Sequence, residues 1–131
     1  MIKPADLKIN NWILPKGIGM IPSRVSALKE NAVYIKLNGI HEKVDADGIL
    51  LSKEILRKAG FKSYEFGSTF RLYSFIGYVD KASGKVLIDF ITKFNLVEIR
   101  TWLHTIEYLH DLQNTCKHMV GQELEINLLE S

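Results

Sequence analysis

The stretch TIEYLHDLQNTCKHMVGQELEI, residues 105–126, carries His110, His118, the single cysteine Cys116, Gln113 and Asn114 among several carboxylates. Zinc centres and imidazole-activated thiols are built from these residue types. Their spacing argues against both. Ligands on one helix must stand three or four residues apart to share a face. His104, His110, Cys116 and His118 are separated by 6, 12, 14, 6, 8 and 2 residues. The 14-residue pair shares a face but would lie roughly 21 Å apart along a helix. One cysteine also excludes an internal disulfide and a multi-cysteine cage. The stretch therefore predicts neither a metal nor a cofactor.

A helical wheel predicts an amphipathic helix from about Thr105, stopped by Gly121. Ile106, Leu109, Leu112, Cys116, Met119 and Val120 fall in one apolar arc, with Glu107, Asp111, Asn114, Thr115 and His118 opposite. Cys116 reads as a small core residue. Gln113 lies within the apolar arc and His110 at its margin. Buried polar groups must find partners. His110 and Gln113 therefore either bond the backbone of a neighbouring strand, pinning helix to sheet, or line a pocket and face a ligand.

Other candidate chemistry is sparser. Lys53, Arg57, Lys58 and Lys62 form a basic cluster, with Lys53 and Arg57 on one helical face. Trp12 and Tyr34 lie in neighbouring strands, and basic groups beside exposed aromatic rings suit phosphates and stacked bases. These six residues are the candidate binding set. DADG (Asp45 to Gly48) fails calcium-loop spacing and reads as a turn before a helix. Gly17 and Gly19 make a hairpin tip rather than a phosphate loop, because a strand-like run with Pro22 follows instead of a helix. No GxSxG frame exists, so no catalytic residue is assigned.

The elements that must position these groups begin with short strands: LKINNWIL, GMIPSRVSAL and AVYIKL. All three prolines precede Gly48, which makes the early strands edge-like or bulged. Asn38-Gly39 is a strong hairpin signal, and it places Ile40 opposite Leu37 and Val44 opposite Val33. LLSKEILRKAGF predicts a short helix with Ser52 as N-cap, a Leu51–Leu56 staple, and Gly60 and Phe61 in a Schellman ending. TFRLYSFIGYV and KVLIDFITKF flank DKASG as a hairpin. LVEIRTWL continues with Val97, Ile99, Thr101 and Leu103 on one face, and LEINLL can return as a final strand. The fold class is α+β over residues 1–131 as one domain. A strand-rich part, 1–50, forms a small bent antiparallel sheet or barrel. Residues 51–131 add the capped helix, the hairpin and a long C-terminal helix packed on the strands.

At 47% hydrophobic and 24% charged the chain has an ordinary globular composition and can bury about two-thirds of its unfolded surface without staples. Net charge is +2, too small to argue a partner. Residues 1–65 hold eleven basic against seven acidic residues, and residues 66–131 six against eight, a mild polarity. The absence of an eighteen-residue apolar run and of a signal-peptide h-region predicts no membrane association and a cytoplasmic setting.

Two elements and an opening carry a resemblance. Leu51, Ser52, Glu54, Leu56, Lys58, Gly60 and Phe61 match an IPLTEEWLLKFGF-like helix. Ile106, Tyr108 to His110, Leu112 to Asn114, Gly121, Glu123 and Leu124 match an IKYVHQLQNLYFALTGEEL-like helix, and LKINNWI matches an LRIGNWV-like opening. In these the chain resembles a family of short uncharacterised proteins of Bacteroides-group gut bacteria and their phages and mobile elements. Asn10 stands where the family tends to have glycine, and Leu50 where it favours proline. The resemblance implies a phage or mobile-element accessory protein with no established activity, and its opening is similar to small Tudor-like barrels. The expected function is a non-enzymatic module binding protein or nucleic acid in the host cytoplasm, with a homo-oligomer among the admissible partners. The alternatives are a counter-defence protein sequestering a nucleotide signal, a virion or assembly component, and a hydrolase whose acidic residues converge only in three dimensions.

Overall fold

The computed structural model describes residues 1–17, 21–64 and 69–129. The first half forms β1 (Trp12–Pro15), β2 (Ser23–Lys29), β3 (Ala32–Leu37), β4 (Ile40–Val44) and β5 (Ala46–Asp47). They make one antiparallel sheet in the order β4-β3-β2-β1-β5, curled into a half-barrel. Asn38 and Gly39, both at positive φ, close the β3–β4 hairpin, so Leu37 faces Ile40 and Val33 faces Val44. The sequence predicts both pairs. The concave side packs Leu7, Ile13, Val25, Val33, Ile35, Val44 and Ala46. A bulge between Val25 and Ala27 helps bend β2.

Helix α1 (Lys53–Lys58) has the predicted punctuation. Ser52 Oγ accepts from Ile55 N at 3.2 Å. Gly60 N donates to Arg57 O and Phe61 N to Leu56 O, the two bonds of a Schellman ending, with Gly60 at φ +96°. Five more strands follow: β6 (Lys62–Tyr64), β7 (Thr69–Leu72), β8 (Phe75–Val79), β9 (Val86–Phe94) and β10 (Val97–Trp102). They form an antiparallel meander in the order β10-β9-β8-β7-β6. Leu56 of α1 approaches β8 so closely that a Cβ on Gly77 would stand 2.7 Å from its Cδ1. Helix α2 (Leu109–Val120) lies against β1, and Leu109, Leu112 and Cys116 join Trp12, Leu56, Phe61, Phe70, Phe75 and Ile88 in the larger core. The chain is thus mostly sheet with two α-helices and a 3-10 turn at Pro4–Asp6 among the described residues, an α+β architecture.

Several sequence expectations shift. TFRLYSFIGYV is two strands, because Tyr73 at φ +53° turns the chain between β7 and β8. Helix α2 starts at Leu109 rather than Thr105. Leu51 N donates to Glu107 O, Leu109 N donates to Ile49 O, and Leu50 bridges Tyr108, so these residues are held extended. Ile106 is buried outside the helix and Met119 is exposed. LEINLL is no strand; its backbone serves as acceptor instead, Ile126 O taking Trp12 Nε1–H and Arg24 Nη2–H, each at 3.0 Å. Ala46 and Asp47 of DADG pair with β1 instead of turning. LKINNWIL is a strand only from Trp12, since Asn10 has φ +76°. The tip read at Gly17 and Gly19 reaches residues 18–20, outside the described residues.

Candidate functional site

The segment 10–12 and helix α2 lock together. Gln113 Oε1 accepts from Trp12 N at 2.8 Å, and its Nε2 donates to Asn10 O at 3.2 Å. Asn114 and Asn11 exchange reciprocal amide bonds of 2.8 and 3.1 Å. Gln113 thus pins helix to strand, one of the two roles its sequence position allowed.

His110 does not share that role. Its ring is buried and stacked on Tyr108, with centroids 5.7 Å apart. Nε2 stands 3.4 Å from Asp111 Oδ1, while Nδ1 has no hydrogen-bond partner among the described residues. Burial pushes the imidazole pKa below its ordinary value, against the pull of the Asp111 and Asp6 carboxylates. Asp111 is half-buried rather than solvated, and its Oδ2 accepts from Tyr108 N at 3.3 Å, capping α2. His110 lines an open groove of about 860 Å³, edged by Asp6, Asp47, Tyr108 and Asp111.

The basic and aromatic candidates disperse. Lys53 and Arg57 are exposed on α1, Lys58 pairs with Glu54 at 3.7 Å, and Lys62 lies on β6. The Arg57 guanidinium sits 5.6 Å from the Phe70 ring centre. Trp12 is 3% exposed, and Tyr34 is half-buried on β3, paired with Lys43. Of the six, Lys58 and Trp12 line a common groove, of about 450 Å³. Arg24, which sequence reasoning missed, covers the Trp12 ring at 4.9 Å.

A second polar cluster stands on the outer face of β8, β9 and β10. Asp89, 1% exposed, accepts from Arg100 Nε at 2.6 Å and lies 3.2 Å from His104 Nε2 and 3.5 Å from the Tyr78 hydroxyl. Tyr78 and His104 are also 3.2 Å apart, and Trp102 stacks on His104. An aspartate–imidazole pair is half of a proton relay. The hydroxyl beside it is a phenol whose pKa burial and Asp89 both raise, so it is no activated nucleophile. The available signal was a lone Asp in the apolar run VLIDFI.

Cys116 is buried, with Sγ 3.5 Å from Gln122 O, and burial raises its thiol pKa. Among the described residues no three His, Cys, Asp or Glu side chains stand together to hold a metal, and no helix is long and apolar enough to cross a membrane.

The β9–β10 hairpin is exposed and apolar. Phe94, Leu96, Val97, Ile99 and Trp102 are all exposed within nine residues. Among the described residues, strand β10 pairs with β9 alone and is exposed along its length. Leu103 N donates to Ile88 O, so by antiparallel alternation Val97, Ile99 and Thr101 point their backbone groups toward β9. Glu98, Arg100 and Trp102 point theirs outward. Asn95 and Leu96, at φ +48° and +69°, form the turn. Leucine is a poor residue for that backbone region, yet Leu96 is fully exposed.

No family model, curated protein or solved structure matches the chain.

Proposed function

We propose that this chain is a non-enzymatic accessory protein of the phage and mobile-element kind, acting in the host cytoplasm as a protein-binding module that docks an extended segment on the β10 edge. One observation carries this reading: a six-residue edge strand with outward backbone groups, bordered by five exposed large apolar side chains. Natural sheets usually blunt or cover such edges, and an extended peptide is the partner that an uncovered one fits. The Tudor-like character of the curled N-terminal sheet belongs to the same reading. Nucleic acid is less well served, because Trp12 presents no open ring and Lys58 is ion-paired. The test is photocrosslinking in cells from a benzoylphenylalanine at Trp102, with Tyr73 as the control position. Protein adducts at Trp102 that disappear with Glu98→Pro support the reading. Nucleic-acid adducts, or protein adducts indifferent to Glu98→Pro, overturn it.

A second reading, sequestration of a small ligand, rests on the 860 Å³ groove that His110 lines, beside a buried Nδ1 with no hydrogen-bond partner among the described residues. The groove's charges are mixed: Asp6, Asp111 and Lys3 line it, and Asp47 is already paired with Lys16 at 3.6 Å, so a polar ligand fits it better than an apolar one. Native mass spectrometry of the purified protein tests it: a carried small molecule that is lost with His110→Phe supports it, and a bare chain counts against it.

A further inference from the structure

Resting on the edge-docking reading, the geometry points to a specific occupant: a second copy of this chain, paired antiparallel through β10 about a two-fold axis at Ile99. A two-fold perpendicular to the sheet sets opposite each other residues whose side chains share a face, and the outward backbone groups of Glu98, Arg100 and Trp102 must meet outward groups of the partner strand. Three centres satisfy the side-chain alternation near the middle of the strand. An axis at Glu98 stacks Glu98 on itself. An axis at Arg100 stacks Arg100 on itself. Like charges directly opposite are destabilising. The axis at Ile99 places Glu98 opposite Arg100 of the second copy, twice, and lets each such pair exchange two backbone hydrogen bonds.

The side chains fit the same register. Ile99 meets Ile99 of the second copy, Val97 meets Thr101, and the exposed Leu96 at the hairpin tip comes alongside the exposed Trp102. Among the described residues Glu98 makes no ion pair, its cross-strand neighbour on β9 being Lys93. Arg100 is held to Asp89 through Nε, and with its side chain 44% exposed it keeps guanidinium donors for a second carboxylate. Asp89 is then the positioning residue that presents Arg100 to Glu98 of the second copy. The paired sheets would form one ten-stranded sheet. Two six-residue strands make an interface at or below the low end for specific complexes, about 1,200 Å², so association in the micromolar range is expected.

The test combines association with disulfide trapping. Opposed residues flanking the axis in a non-hydrogen-bonded antiparallel pair have Cα atoms about 4.5 Å apart, within the roughly 4.4–6.8 Å that a disulfide spans. Ile99→Cys should therefore cross-link to itself under mild oxidation. Val97→Cys, whose copies stand four residues apart along the strand and so about 13 Å, should not. The native Cys116 is buried and does not compete. Glu98→Pro removes an outward N–H and leaves the β9 ladder whole, and should weaken dimerisation about tenfold or more with an unchanged melting temperature in dilute, monomeric samples. A wild-type dimer with this pattern supports the inference. A wild-type monomer up to about 1 mM, equal cross-linking of both cysteine variants, or a dimer unaffected by Glu98→Pro overturns it. A monomeric result leaves the docking reading to its own photocrosslinking test, where adducts would come from other chains.

Discussion

Arg100 Nε lies 2.6 Å from Oδ2 of Asp89, so the only cation of the edge strand is anchored by a carboxylate with 1% of its surface in water. Removing the cation and removing the carboxylate should differ. Arg100→Ala leaves a buried carboxylate with His104 and Tyr78 as its remaining hydrogen-bond neighbours and should cost about 1–3 kcal/mol. Replacing both by leucine removes the desolvation problem and should recover most of that loss. Urea denaturation of the two variants and wild type measures the difference.

Gln113 satisfies both ends of its amide on the backbone of one strand segment, Trp12 N and Asn10 O. Truncation strands one donor and one acceptor in the core. Gln113→Ala should lower stability by about 1–3 kcal/mol, and Gln113→Glu at least as much, because a carboxylate oxygen would face Asn10 O. An unchanged melting temperature for Gln113→Ala would contradict the pinning role.

His110 is held neutral by burial, with its folded-state pKa lowered. The unfolded chain then binds more protons than the folded one wherever pH lies below the ordinary histidine value of about 6.5. Stability from this group is full above that value and is lost as pH falls from it toward the folded-state pKa. His110→Phe should flatten that acid slope and relieve the unpartnered Nδ1. Comparing urea midpoints of variant and wild type near pH 5 and near pH 7.5 isolates the effect from the other histidines. Parallel slopes would contradict it.

Leu96 opposes two interests. Its left-handed backbone disfavours a leucine by about 1–2 kcal/mol, while its exposed side chain extends the apolar edge. Leu96→Gly should therefore raise the melting temperature and lower binding through β10. A variant that loses both stability and binding would show that Leu96 serves the hairpin rather than the partner.

Local chemistry was legible in the sequence where neighbours along the chain decide it. Ser52, Gly60 and Phe61 act within one short helix, and Asn38-Gly39 sets the register of the strands it joins. Gln113 was legible as a misfit on an apolar arc, though not the Asn10 and Trp12 backbone it meets. The start of α2 was hidden because Leu50 and Leu51, more than fifty residues earlier, hold Glu107 and Tyr108 extended. The Asp89 cluster joins residues 11 and 15 positions apart on a sheet face, and no single-strand period announces it. The free edge needed the strand order, since β10 reads as an ordinary alternating strand until its outer side proves uncovered.

Residue-resolved amide hydrogen exchange, run on dilute and concentrated protein, tests the open edge most directly. Dilute protein should exchange the Glu98, Arg100 and Trp102 amides fast and those of Ile99 and Thr101 slowly. At high concentration Glu98 and Arg100 should slow as copies pair. Protection of Glu98 and Arg100 already at dilution, or fast exchange persisting in a sample whose mass has doubled, would contradict an open β10 edge that receives another strand.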